Sequence, residues 1–151
     1  MITTALAAIL VAAYLTYMSI KAKEIPDSIS ETAYIADNQW VFTIGILSFI
    51  VLTWASLVQK CSPDTEYLAF LTATGLTSVA LSPDYKTKHK IMHYGGGILA
   101  LIASQLLIYL NGAANLLYTW LLYPLTLLFS RENWVFWAEI ICIITIFLFI
   151  S

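Results

Sequence analysis

Six long apolar runs alternate with short polar connections along the chain. Read as α-helices, the runs are close to the roughly 17–25 residues that a bilayer crossing needs. The pattern predicts an all-α fold, a polytopic integral membrane bundle of six transmembrane helices forming a single membrane domain over residues 1–151. The predicted helices cover about 2–20, 40–59, 66–82, 93–110, 114–129 and 134–150.

The first run could instead be the apolar core of a signal peptide. However, no basic residue precedes Ala5–Ala13, and the run is longer than the roughly 7–15 residues usual for such a core. We therefore interpret it as a membrane helix.

The basic residues predict which side of the membrane each connection occupies. Of the seven, only Lys60 lies in the second connection. Because basic residues beside short loops are retained in the cytoplasm, we expect both termini outside and the connections 21–39, 83–92 and 130–133 in the cytoplasm, in a bacterial inner membrane. The other six, in the first, third and fifth connections, are Lys21, Lys23, Lys86, Lys88, Lys90 and Arg131.

Composition supports a membrane protein and argues against a nucleic-acid partner. Apolar residues make up 60% of the chain and charged residues 11%, whereas ordinary globular chains are roughly a quarter charged. The net charge is −2, and the basic residues form no stripe interleaved with aromatic residues. The expected partner is membrane lipid, with a membrane protein or a second copy of the chain as further partners.

Several ionisable residues fall at membrane depth near the predicted cytoplasmic side, where such groups indicate function. Glu139 lies five residues beyond Trp134, about 7–8 Å into the last helix at 1.5 Å per residue. His93 enters the membrane from the same side, and Ser30 and Glu31 lie in the connection on that side. This arrangement predicts a polar cavity open to the cytoplasmic leaflet.

A purely structural role is the alternative for these groups. Glu139 and His93 could pair with each other, or Glu139 with Arg131, and so lock the bundle. Gln105 is the one large polar side chain deep in the fourth predicted helix. Gly95–Gly97 predict close packing of two helices, with a local opening of the helix as the alternative, and Pro124 predicts a kink.

His89 and His93 form an H-x-x-x-H pair, a spacing that places two rings on one face of a helix. Neighbouring lysines oppose cation binding, and no third histidine exists, so a carboxylate such as Glu31 would have to complete a metal site. We expect no metal or other cofactor, and a zinc site formed by His93, His89 and Glu31 is the alternative.

The two serines of the first connection have a catalytic and a structural interpretation. No G-x-S-x-G or S-x-x-K motif is present, so the usual signatures of a serine nucleophile are missing. Ser28 and Glu31 instead fit an S-x-x-E capping box at the start of a short helix. Capping is the favoured interpretation.

The order of these motifs resembles the FRAG/DRAM group of six-helix membrane proteins. The stretch Pro26-Asp27-Ser28-Ile29-Ser30-Glu31-Thr32 is similar to that group's Pro-x-Ile-Ser-Asp-Thr-Gly loop, and His93-Tyr94-Gly95-Gly96-Gly97 is similar to its histidine followed by small residues. The chain departs from the pattern by one extra residue before Ile29, by glutamate at 31 and by Ala33 in place of glycine. The same pairing of motifs resembles that of small uncharacterised bacterial and phage membrane proteins. The resemblance implies lipid-related activity and assigns it to Ser30, Glu31 and His93.

These observations favour a protein that binds or modifies a lipid or other amphiphile in the cytoplasmic-facing cavity. For catalysis we expect His93 as general base, with Glu31 or Glu139 as its partner and Ser30 as a further candidate. The expected ligand-binding residues are Asp84, Lys86, Lys90 and Gln105, where lysines would attract an anionic headgroup by up to ~1 kcal/mol each. A small-solute or ion transporter or channel, and an accessory protein acting through helix contacts, remain alternatives.

Overall fold

The computed structural model describes residues 2–129 and 131–151, with the side chain of Phe129 excluded. These residues form an all-helical bundle without β-strands, which confirms the predicted all-α class. Its α-helices are α1 (Ile2–Ala22), α2 (Thr32–Ile35), α3 (Trp40–Lys60), α4 (Glu66–Ala80), α5 (Lys90–Leu110), α6 (Tyr123–Phe129) and α7 (Trp134–Ile150), and a 3₁₀ helix covers Ala114–Leu122.

Most predicted boundaries lie within three residues of the observed ones. α5 starts at Lys90 rather than at 93, so the third connection is shorter than the predicted 83–92. α4 ends at Ala80, two residues before the predicted end. Within the described part of the chain, α1, α3 and α5 are long and apolar enough to cross a membrane. Six crossings stay a prediction, because α4 has 15 residues and α7 has 17.

The fifth predicted helix, 114–129, is not one kinked α-helix. It begins as a nine-residue 3₁₀ helix and changes to α-helix at Tyr123, with Pro124 in the first α-helical turn. Proline is tolerated there because the first amides of a helix have no partner within it. A 3₁₀ helix rises about 2.0 Å per residue, so nine residues reach about 18 Å where an α-helix would reach about 13.5 Å.

The main segments alternate in direction, so that the connections meet at two ends of the bundle. At one end, Lys86 contacts Glu31 and Asn133 contacts Ile25, which brings the first, third and fifth connections together. At the other end Asn111 accepts a hydrogen bond from the Ser62 amide, joining the second and fourth connections. We call the first the basic end; its basic residues are Lys21, Lys23, Lys86, Lys88, Lys90 and Arg131.

α4 and α5 make the closest contact in the bundle, through two glycines. A Cβ atom at Gly75 would lie 2.5 Å from the Gly96 carbonyl oxygen, and a Cβ at Gly96 would lie 2.7 Å from the Gly75 carbonyl oxygen. Nothing lies within 4 Å of a Cβ at Gly95, and α5 is continuous through this stretch. The predicted close packing is therefore correct at Gly96, and the alternative of a local helix opening is wrong.

The main apolar core lies towards the end opposite the basic end. It contains Leu57 of α3, Leu107 of α5 and Phe149 of α7, all buried. A smaller cluster of Ala33 and Phe42 with Val79 lies near the basic end. Between these two clusters the helices surround a cavity.

Substitution of Gly96 by alanine should separate α4 from α5, because the new methyl group meets backbone atoms that cannot rotate away. We expect a loss of about 1–3 kcal/mol in the free energy of unfolding, typical of overpacking. Gly95→Ala is the matched control and should be neutral or stabilising, since alanine favours a helix by up to ~1 kcal/mol over glycine. Thermal unfolding of the detergent-purified variants measures both, and equal melting temperatures would contradict the packing.

Candidate functional site

A cavity of about 780 Å³ opens between α1, α3, α4, α5 and α7. Its volume falls within the roughly 300–1,000 Å³ of small-molecule pockets. Residues of the first and third connections line it as well, so it reaches the basic end of the bundle. The sequence predicts a polar cavity near this end; the observed cavity reaches this end, and most of its wall is apolar.

The cavity has two chemically different parts. Ionisable and hydroxyl side chains line the part near the basic end, among them Ser30, Glu31, Lys86, His93 and Glu139. Aliphatic and aromatic side chains form most of the remaining wall, including Leu10, Leu76, Leu101 and Ile146. An amphiphile has the same division between a polar headgroup and an apolar chain.

The first connection is held against the start of α7 by three groups. The Ile29 amide donates to Glu139 Oε2 over 2.5 Å, and the Phe136 amide donates to the Asp27 carbonyl oxygen over 3.0 Å. Asn133 Nδ2 donates to the Ile25 carbonyl oxygen over 2.8 Å. Because the first amides of a helix lack partners within it, α7 and the connection each satisfy backbone groups of the other.

An ion pair joins the first connection to the third. Lys86 Nζ lies 2.6 Å from Glu31 Oε1, and it also lies 4.9 Å from the centroid of the Tyr34 ring. The hydrogen bond from Lys86 lowers the pKa of Glu31 below its usual value and raises the pKa of Lys86. Both groups are therefore charged at neutral pH.

His93 is fixed in a buried position by Ser82 and Tyr85. Its side chain is almost inaccessible, at 3% exposure, and Nδ1 lies 3.0 Å from the Ser82 carbonyl oxygen. The Tyr85 ring stacks on the imidazole at a centroid distance of 4.0 Å. Because a carbonyl oxygen can only accept, Nδ1 carries the hydrogen and Nε2 is the basic nitrogen of the neutral ring.

The pairing of Glu139 with His93 or Arg131 is wrong. Glu139 accepts from the Ile29 amide, His93 is bonded to Ser82, and Arg131 is exposed. The two candidate catalytic residues face the same cavity without an ion pair between them.

Ser28 forms the serine half of the predicted capping box in the turn before α2, but it does not cap α2, whose N-cap residue is Glu31. Its Oγ accepts from the Glu31 amide over 3.0 Å, but the Glu31 carboxylate accepts from the amide of Asp27 rather than that of Ser28. α2 then starts at Thr32. Ser30 is buried and lines the cavity, so it stays a candidate by position alone.

Three expected ligand-binding residues do not line the cavity. Asp84 lies 3.9 Å from Lys88 Nζ and 4.0 Å from His89 Nε2, and Lys90 is exposed at the first position of α5. Gln105 does not line the cavity either. Of the expected set, Lys86 alone is a lining residue.

Gln105 belongs to a polar network that joins the 3₁₀ helix to α5 and α7. Its Oε1 accepts from Trp120 Nε1 over 2.9 Å, and its Nε2 donates to Cys142 Sγ and Ser104 Oγ over 3.2 Å each. Ser104 and Cys142 line the deep part of the cavity. Gln105 therefore supports the cavity wall from behind.

The three residues considered as zinc ligands each contact a different partner. His89 is next to Asp84 and stands at the N-cap of α5 rather than within it, His93 is bonded to Ser82, and Glu31 is paired with Lys86. Among the residues that the structure describes, no cluster of three or more His, Cys, Asp or Glu side chains could hold a metal ion.

Sequence reasoning missed several residues that build the site. Tyr85 is 4% exposed and lies in a connection rich in lysine, where a buried aromatic residue is itself a signal. Asn133 is the N-cap residue of α7, a position that favours asparagine, but its partners lie more than a hundred residues away. Such a long-range contact leaves no local pattern.

Comparisons with protein-family models, curated proteins and solved structures gave no match.

Replacement of Glu139 by leucine should release the first connection, because the Ile29 amide loses its acceptor. An unsatisfied amide costs about 1–3 kcal/mol, so we expect hydrogen exchange at Ile29 to accelerate by about tenfold or more. Glu139→Gln keeps an acceptor oxygen and is the matched control. Hydrogen exchange read by mass spectrometry on peptides covering 24–36 measures the effect. Equal exchange in both variants would show that this contact does not hold the connection.

Proposed function

We propose that this chain is an integral membrane protein that binds a lipid or other amphiphile, with the headgroup at the basic end and the chains between the helices. The observation that supports this is the cavity of about 780 Å³, with ionisable side chains at one end and apolar walls beyond. Each buried CH₂ group of a lipid chain would contribute about 0.8 kcal/mol.

The proposed topology has six membrane crossings with the basic end in the cytoplasm of a bacterial cell. Six of the seven basic residues gather at one end, as expected of a cytoplasmic face. α4 would reach only about 22 Å at 1.5 Å per residue, and a bilayer adapts to a short helix by local thinning. The 3₁₀ helix has the opposite effect on the fifth segment, because it makes that segment longer than an α-helix of the same number of residues.

Chemistry on the bound amphiphile is part of the proposal. His93 is the general base, since the Ser82 carbonyl holds Nδ1 and leaves Nε2 as the basic nitrogen. Glu31 and Glu139 line the same cavity and are the candidate partners of His93 in proton transfer. The resemblance to the FRAG/DRAM group assigns function to Ser30, Glu31 and His93, which all line this cavity.

Filling the cavity should displace the lipid. Ala138 lines the cavity, whereas Ile144 of the same helix does not and is exposed. We expect Ala138→Phe to lose most of the lipid that co-purifies with the wild type, while Ile144→Phe retains it. Mass spectrometry of lipid extracts measures both. If a folded Ala138→Phe variant retains all of its lipid, the proposal that lipid binds in this cavity is wrong.

In the same preparations, His93→Ala and Glu31→Gln should lose turnover of the lipid or reduce the amount bound. His89→Ala is the control, because His89 lies outside the cavity. Unchanged lipid content and unchanged lipid composition in both cavity variants would exclude a role for these residues.

The proposed sidedness predicts opposite labelling at Lys90 and Lys60. After replacement of the free Cys61 and Cys142, a single cysteine at Lys90 should react only from the cytoplasmic side and one at Lys60 only from the outside. An impermeant maleimide applied to intact cells and to inverted vesicles makes the distinction. Labelling of position 90 in intact cells would show that the topology is the reverse of the one proposed.

A further inference from the structure

Acidic side chains outnumber lysines and arginines among the described residues that line the cavity. Asp27, Glu31 and Glu139 are lining carboxylates, and Lys86 is the one lysine or arginine among the described lining residues. Lys86 is already paired with Glu31 at 2.6 Å. The other basic residues of this end do not line the cavity.

The carboxylates at the mouth of the cavity influence one another. The negative charge of Glu31 raises the pKa of Asp27 above its usual value. Like charges that repel in this way are relieved by a bound cation. An anionic headgroup would instead add to the repulsion, whereas an ammonium group would reduce it.

Aromatic rings also line the cavity. Trp134 and Tyr94 are lining residues and are 56% and 50% exposed, so much of each side chain is not covered by protein. Tyr14 and Tyr85 line the cavity too. Rings of this kind attract ammonium groups, and tryptophan does so most strongly.

We propose that the ligand is an amphiphile with a zwitterionic headgroup, whose ammonium group binds among Asp27, Glu139, Trp134 and Tyr94. This inference rests on the proposed function and specifies its ligand class. It replaces the anionic headgroup expected from the lysines in the sequence, because Lys88 is next to Asp84 and Lys90 stands outside the cavity.

Binding of three lipids with identical acyl chains to the delipidated protein in detergent tests this inference. We expect phosphatidylethanolamine and phosphatidylcholine to bind about tenfold more tightly than phosphatidylglycerol, a difference of about 1.4 kcal/mol. The double variant Asp27→Asn, Glu139→Gln should lose this preference, and it keeps an acceptor for the Ile29 amide. Asp84→Asn is the control, since that carboxylate lies at the same end without lining the cavity.

Each outcome separates this inference from the proposed function. Phosphatidylglycerol binding as tightly as the other two would overturn the headgroup assignment and leave lipid binding intact. Binding of none of the three would overturn both. Phosphoethanolamine, which has no acyl chains, should compete poorly with the lipid. If it competes as well as the lipid does, the site binds a soluble amine, and the proposal of an amphiphilic ligand is wrong.

Discussion

The first amides of α7 need partners, and the first connection supplies one of them. Phe136 donates to the Asp27 carbonyl oxygen, and in return Glu139 accepts from Ile29. This exchange helps to hold four acidic and hydroxyl residues of the first connection at the cavity: Asp27, Ser28, Ser30 and Glu31. It acts together with the Lys86–Glu31 ion pair, which ties the same connection to the segment that carries Tyr85, the ring stacked on His93.

The position of His93 depends on a second constraint, the contact of α4 with α5. Gly75 and Gly96 let the two backbones approach, and this brings the end of α4 against the start of α5. The Ser82 carbonyl then reaches the His93 ring. The Ser82 hydroxyl also donates to the Ser78 carbonyl oxygen over 2.5 Å and lies 3.2 Å from His93 Nδ1, so it ties the imidazole to the last turn of α4.

The sequence predicts the helices well because long apolar runs and the turns between them are local signals. It also predicts that Glu31, His93 and Glu139 lie near one end of the bundle, because alternating helices bring the first, third and fifth connections to the same end. The structure places all three along one cavity. It could not predict which lysines form ion pairs, since the partners of Lys86 and Lys88 depend on the fold of the third connection. The assignment of Gln105 to the ligand failed for the same reason: Trp120, its partner, lies on another segment.

The winding of the 3₁₀ helix repeats every three residues, and exposure follows that repeat at Asn115, Tyr118 and Leu121. Its inner rows carry Thr119, which contacts the Thr145 hydroxyl over 2.7 Å, and Trp120, which donates to Gln105. Rewinding to α-helix would turn each residue by about 100° instead of about 120° and shorten the segment, so both contacts could not survive. The winding of this segment is therefore coupled, through Trp120 and Gln105, to Ser104 and Cys142 in the wall of the cavity.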